Sequence, residues 1–240
     1  MMGATLLRMD PANEPDRILS LTLKAFELAK SAVSHIADGL VNRTSASFSA
    51  ADDCEKQLDL LDRQVDESVP AAIIGVSAEK ARELLACLKC VTDLERIGDL
   101  VAGLGARAQA ISARIEMEDV ADLVRMATLV EHMLGGLYKA LSIRDVERAV
   151  NVLRTDAEID RIRNLLHIRH VENREGAAGP EGVQVLFMAQ ALERAGDHAK
   201  NIAEEVCHLV SGHSVRHVMR ANSKSEEQMF LDWLREQQRK

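Results

Sequence analysis

Leu94-Glu95-Arg96-Ile97-Gly98-Asp99 recurs, with one change, as Leu192-Glu193-Arg194-Ala195-Gly196-Asp197. Five of the six positions are identical. A motif repeated at a separation of about one hundred residues is the signature of a duplicated structural unit. The chain therefore reads as two copies of one helical bundle, each with this hexapeptide at the centre of a long helix. The expected units are residues 16–113 and 114–211, followed by a polar C-terminal tail, 212–240.

Working outward from the hexapeptides, apolar residues at spacings of three and four run through nearly every segment, so the breaks carry the information. The first helix is expected over Asp16 to Val41, ending in the Ser/Thr-rich stretch from Asn42 to Ser49. A second runs from Ala51 to Ala72, with Pro70 near its last turn. The third starts after Ser77, an N-cap with Glu79 in the first turn, and reaches Ala113. Helix four is expected over Glu118 to Ala140, and helix five from Ser142 or Asp145 to Glu172. Arg174 to Gly182, with three glycines and Pro180, reads as a loop, and helix six as Val183 to Val210, stopped by Gly212. A short seventh helix around Trp233 is the expectation for the tail.

Composition agrees with packed helices and no sheet. Aromatic residues are 2% of the 240-residue chain and there are four prolines, while Ala, Leu, Glu, Arg and Met abound. The formal charge of −8 argues against nucleic acid as a partner, because that role needs a basic face. No stretch approaches the roughly 18 uninterrupted apolar residues of a membrane-spanning helix, and no signal-peptide core opens the chain, so a cytoplasmic location is expected. Cys54, Cys87, Cys90 and Cys207 suit a reducing compartment. The Cys87/Cys90 pair has no second pair to complete a zinc site, and both read as small core residues.

In each hexapeptide the Glu and Asp are four apart and leave one helix face a turn apart. One acidic pair at this spacing is an ordinary solvated face; two converging pairs would be a site. Antiparallel helices joined by a short loop pair residues whose midpoint falls in that loop. By this rule Asp156/Asp160 pair with Glu193/Asp197 across the Gly-rich loop. In the first half Glu55/Asp59 place the midpoint with Glu95/Asp99 at the edge of the loop before helix three, whereas Asp62/Asp66 place it inside helix three. Glu55/Asp59 are favoured, with Asp62 and Asp66 as flanking, secondary candidates.

Facing helices lie about 8–10 Å apart, so four carboxylates at one level need cations or raised pKa values to relieve their repulsion. Carboxylate oxygens suit divalent or trivalent ions: iron, manganese, magnesium, calcium or zinc, with bridging to more than one ion. Arg96 and Arg194 offer the alternative of neutralisation by ion pairing. Gly98 and Gly196 cost about 1 kcal/mol each inside a helix, which implies a close approach to the backbone there.

On these motifs the chain resembles the PhoU family of phosphate-uptake regulators over residues 20 to 217. The two hexapeptides stand where that family has its Glu/Asp-x-x-x-Asp signature, and Asp156-Ala157-Glu158-Ile159-Asp160 resembles its partner motif. Arg82 sits where the family commonly has Asp-Leu-Arg. The family's proline before helix three is replaced by Gly75-Val76-Ser77, Ala195 stands where Ile is usual, and the N-terminal helix diverges. The resemblance implies two pseudo-symmetric three-helix bundles, clusters of metal ions on the acids, and a homodimer. It also implies a repressing, adaptor role between a phosphate importer's ATPase subunit and a membrane sensor histidine kinase, with peripheral association through those partners.

Two rival readings remain. An accessory domain for another phosphate transporter would share the bundles and differ in partner. A ferritin-like di-iron carboxylate protein needs two Glu-x-x-His motifs, and this chain has one, Glu205-Val206-Cys207-His208. No nucleophile with a base and no phosphate-cradling Gly-rich loop is present, so catalysis is not expected. His213 and His217 read as solvent-exposed or as an adventitious metal site, and His198 as a bystander turned about 100° from Asp197.

Overall fold

The computed structural model describes residues 14–172 and 179–212. Within them lie six α-helices: α1 (Glu14–Asn42), α2 (Ser45–Ala72), α3 (Ala78–Ile111), α4 (Met117–Ile143), α5 (Val146–His167) and α6 (Pro180–Ser211). The order and number match the apolar periodicity, and the described residues contain no strand.

Helix ends depart from expectation where capping chemistry competes with composition. The break expected over Asn42 to Ser49 shrinks to Arg43 and Thr44. Thr44 is extended and its hydroxyl accepts from the Ser47 amide at 3.4 Å, so a single N-cap starts α2 and the following serines become its first turns. Arg43 takes the left-handed conformation and its guanidinium donates to the Ala113 and Ile115 carbonyls, tying this corner to the α3–α4 junction. Ser77 caps α3 as expected, accepting from the Lys80 amide at 3.2 Å. Asp145 caps α5, which closes in a π turn over Ile168–Glu172. Pro180, expected in a loop, is instead at the start of α6, where its missing N–H costs nothing and its fixed φ suits the helix. The seventh helix expected near Trp233 and the His213/His217 pair lie outside the described residues.

α1, α2 and α3 pack together as one three-helix bundle, and α4, α5 and α6 as its pseudo-symmetric copy. The bundles join through α3 against α6 and α1 against α4. Cross-links along α3 and α6 run Lys89–Glu205, Asp93–His198 and Arg107–Gln184, so as one number rises the other falls and the two helices are antiparallel. The two hexapeptides therefore pass each other at one level of the central helix pair. Leu94, Ile97, Leu192 and Ala195 are fully buried and hold that level fixed. All four cysteines are free and buried. Among the described residues no helix is long and apolar enough to cross a membrane.

Candidate functional site

Two equivalent contacts set the geometry of the site. A Cβ at Gly98 would lie 2.7 Å from Leu58 Cδ1 and 3.7 Å from Glu55 Cα; at Gly196 it would lie 3.1 Å from Ile159 Cδ1. What approaches each glycine is thus the neighbouring helix of its own bundle. The missing side chain lets α2 close on α3, and α5 on α6, so that acids on facing surfaces share a level.

In the first bundle Glu55, Asp59 and Asp62 on α2 face Glu95 and Asp99 on α3. Burial pushes the Glu55 carboxyl up, and Asp99, Asp52 and Asp59 push it further. Burial likewise raises Glu95, helped by Asp99, Asp62 and Asp59. Asp62 lies within hydrogen-bond distance of Thr92 Oγ1 of α3, at 3.1 Å, which places it on this face. Asp66 is exposed a turn further on and is not among the groups that most perturb Glu55 or Glu95. Arg63 pairs with Asp59 at the rim. Arg96 is turned to Asp93, 3.8 Å away.

In the second bundle Asp156 and Asp160 on α5 face Glu193 and Asp197 on α6. Asp156 is buried, and burial raises its carboxyl against the opposing pull of Lys200. Lys200 Nζ donates to Asp156 Oδ2 at 2.7 Å and reaches Asp197 Oδ1 at 3.5 Å. Burial raises Glu193, and Asp197 adds to it, while Arg163, 3.8 Å away, opposes. Asp156 Oδ1 is buried without a hydrogen-bond partner.

Facing carboxylates at one level therefore occur in both bundles. As the side chains are set, no group of three or more His, Cys, Asp or Glu among the described residues could hold a metal ion, so binding would require the carboxylates to rotate toward a shared centre. The all-oxygen donor set of the first cluster suits a hard or borderline cation; in the second, two basic side chains already stand among the acids.

The sequence points to Arg96 and Arg194 for neutralisation, whereas in the structure Lys200 and Arg163 stand beside the acids of the second cluster. The signal was present: Lys200 is three residues after Asp197, and Arg163 three after Asp160, so each shares a helix face with a cluster acid. His198 does turn away from Asp197's partners, yet it is no bystander. Its Nδ1 lies 2.8 Å from Asp93 Oδ1, a polar contact between the bundles. Glu205 of the single Glu-x-x-His motif is buried and paired with Lys89 at 2.9 Å, where it ties α6 to α3.

The PhoU domain family model matches residues 22–107 and 123–206 of this chain. A phosphate-specific transport system accessory protein PhoU homolog of Xylella fastidiosa is 29% identical over 206 residues, covering 83% of this chain and 85% of that protein. The crystal structure of PhoU from Pseudomonas aeruginosa superposes with a TM-score of 0.77 at 25% identity, over 85% of this chain and all of that one. The phosphate transport system regulatory protein PhoU from Streptococcus pneumoniae, at 19% identity, has the same fold with a TM-score of 0.76 over 86% of this chain and 99% of that one.

Proposed function

The chain belongs to the PhoU domain family, and on that footing we propose that it is a regulatory accessory protein of phosphate transport, acting by binding rather than by catalysis. Its partners are a phosphate importer's ATPase subunit and a membrane sensor histidine kinase, between which it transmits a repressing signal as a cytoplasmic homodimer. Docking at the membrane goes through these proteins, since a net charge of −8 repels anionic lipid.

The observation that carries the reading is the pair of carboxylate clusters in equivalent positions. Glu55, Asp59, Glu95 and Asp99 in the first bundle would hold iron, manganese, magnesium, calcium or zinc; Asp156, Asp160, Glu193 and Asp197 are the equivalent acids of the second, where Lys200 already stands among them. A bound cation would neutralise the facing acids, among which burial and neighbouring carboxylates raise Glu55, Glu95 and Glu193, and so stiffen the contact between neighbouring helices. Asp62, within hydrogen-bond distance of Thr92, would add a fifth oxygen ligand to the first cluster.

Elemental analysis of the purified protein tests the metal reading. Changing Glu95, Asp99, Glu193 and Asp197 together to Ala is expected to remove the bound metal; equal content in both proteins would discard the sites and leave the fold standing. Co-purification tests the partner reading. Recovery of an importer ATPase subunit and a sensor kinase supports it, while recovery of a carrier-type transporter alone would make the chain an accessory of a different phosphate system.

A further inference from the structure

The duplicated hexapeptides hide a difference in charge. Leu58 over Gly98 corresponds to Ile159 over Gly196, which aligns Glu55 with Asp156, Asp59 with Asp160, and Asp62 with Arg163. On the central helices Asp99 corresponds to Asp197 and Ala102 to Lys200. At the same two places the first bundle thus has an acid and a methyl group, and the second has two cations. Lys200 is no surface lysine that happens to lie nearby. Its ammonium donates to Asp156 at 2.7 Å and faces Asp197 at 3.5 Å, bridging α5 and α6 at the level where the facing acids meet. Arg163, 3.8 Å from Glu193, covers a third acid.

We propose that Lys200 is the resident cation of the second cluster, and that it keeps divalent metal out of that cluster while the first stays open. This rests on the metal reading given above. An ammonium within hydrogen-bond distance of a carboxylate claims the lone pairs a metal would use, and a second positive charge a few ångströms away repels the incoming ion. The ion could enter only by displacing Lys200, which would strand that charge where about two thirds of its side chain is covered. Asp156 shows the consequence from the other side: Oδ2 is committed to Lys200, and Oδ1 is buried with no partner.

Calorimetric titration of the metal-stripped full-length protein with Mn²⁺ separates this inference from its premise. In a background where the first cluster is disabled by Glu95→Gln and Asp99→Asn, Lys200→Met is expected to create Mn²⁺ binding tighter by on the order of tenfold or more than in the same background with Lys200 intact. Lys200→Arg, which keeps the charge, should create none, and adding Asp156→Asn to Lys200→Met should abolish the gain. Circular dichroism of each variant establishes that it is folded, and the Asp156→Asn, Lys200→Met pair removes both charges together. If Lys200→Met leaves Mn²⁺ binding in that background unchanged, the inference is wrong. If the wild-type protein binds no Mn²⁺, the metal reading of the first cluster is wrong, and a site gained on removing Lys200 would still support the present inference.

Discussion

The two bundles are built from the same repeat and solve the same electrostatic problem differently. In the first, Glu55, Asp59, Asp62, Glu95 and Asp99 gather with Arg63 at the rim. In the second, four acids gather around Lys200 and beside Arg163. Duplication preserved what backbone packing requires, the glycine and the large apolar residue over it. It did not preserve the charges around the acids. Packing and charge are thus separately adjustable on this scaffold, because the glycine contact is made by backbone and core while the charged tips project beyond it.

The largest expected effect tests the shared packing. Gly98→Val should destabilise by about 2–3 kcal/mol, because even a Cβ there meets Leu58 at 2.7 Å and overpacking at this scale costs that much. Gly196→Val, facing Ile159 at 3.1 Å, should cost less, about 1–2 kcal/mol. Urea denaturation measures both, and equal losses would refute this ordering.

Next comes the tethered cation. Lys200→Met should destabilise the metal-free protein by about 1–2 kcal/mol, less than the usual cost of breaking a buried pair because Lys200 keeps about a third of its exposure. Adding Asp156→Asn should recover most of that loss in the same denaturation assay. Transplanting the cation sharpens the comparison: Ala102→Lys should raise the Tm in chelator by about 1–3 °C and weaken Mn²⁺ uptake at the first cluster.

The pH dependence is smaller. Glu55 and Glu95 have raised carboxyls in the folded protein, so the fold binds their protons more readily than the unfolded chain does. Their favourable contribution is complete at low pH and is lost as pH rises through their raised folded-state values. In chelator, thermal melts of wild type and of Glu55→Gln, Glu95→Gln should therefore converge as pH falls from 7 into the carboxylate range, the variant being the more stable at 7 by about 1–3 °C. A gap that widens on acidification would refute the raised pKa values. Smallest of all, Arg63→Ala at the exposed rim should change stability by less than about 0.5 kcal/mol, read by the same melts.

Much of this was legible in the sequence. Apolar period and punctuation gave all six helices, and the midpoint rule placed Glu55/Asp59 opposite Glu95/Asp99 because rise per residue and loop length fix the register of neighbouring antiparallel helices. Helix starts at Ser45 and Pro180 were missed because one capping residue outweighs a run of poor helix formers, and because proline is welcome in a first turn. Asp62, a flanking candidate by the midpoint rule, lies on the cluster face through its contact with Thr92, whereas Asp66 stays exposed. Lys200 and Arg163 were visible as differences between the repeats once the alignment is carried past the hexapeptides.

By itself, the sequence determined that this protein is a duplicated helical bundle and which acids lie at a common height, since both follow from local periodicity and from the length of chain joining adjacent helices. Only the tertiary structure decided that His198 meets Asp93 and Lys89 meets Glu205 across the bundles, and that Lys200 turns inward to Asp156. Those contacts depend on how helices far apart in the chain press their faces together, and no local repeat encodes the rotation of one helix against another.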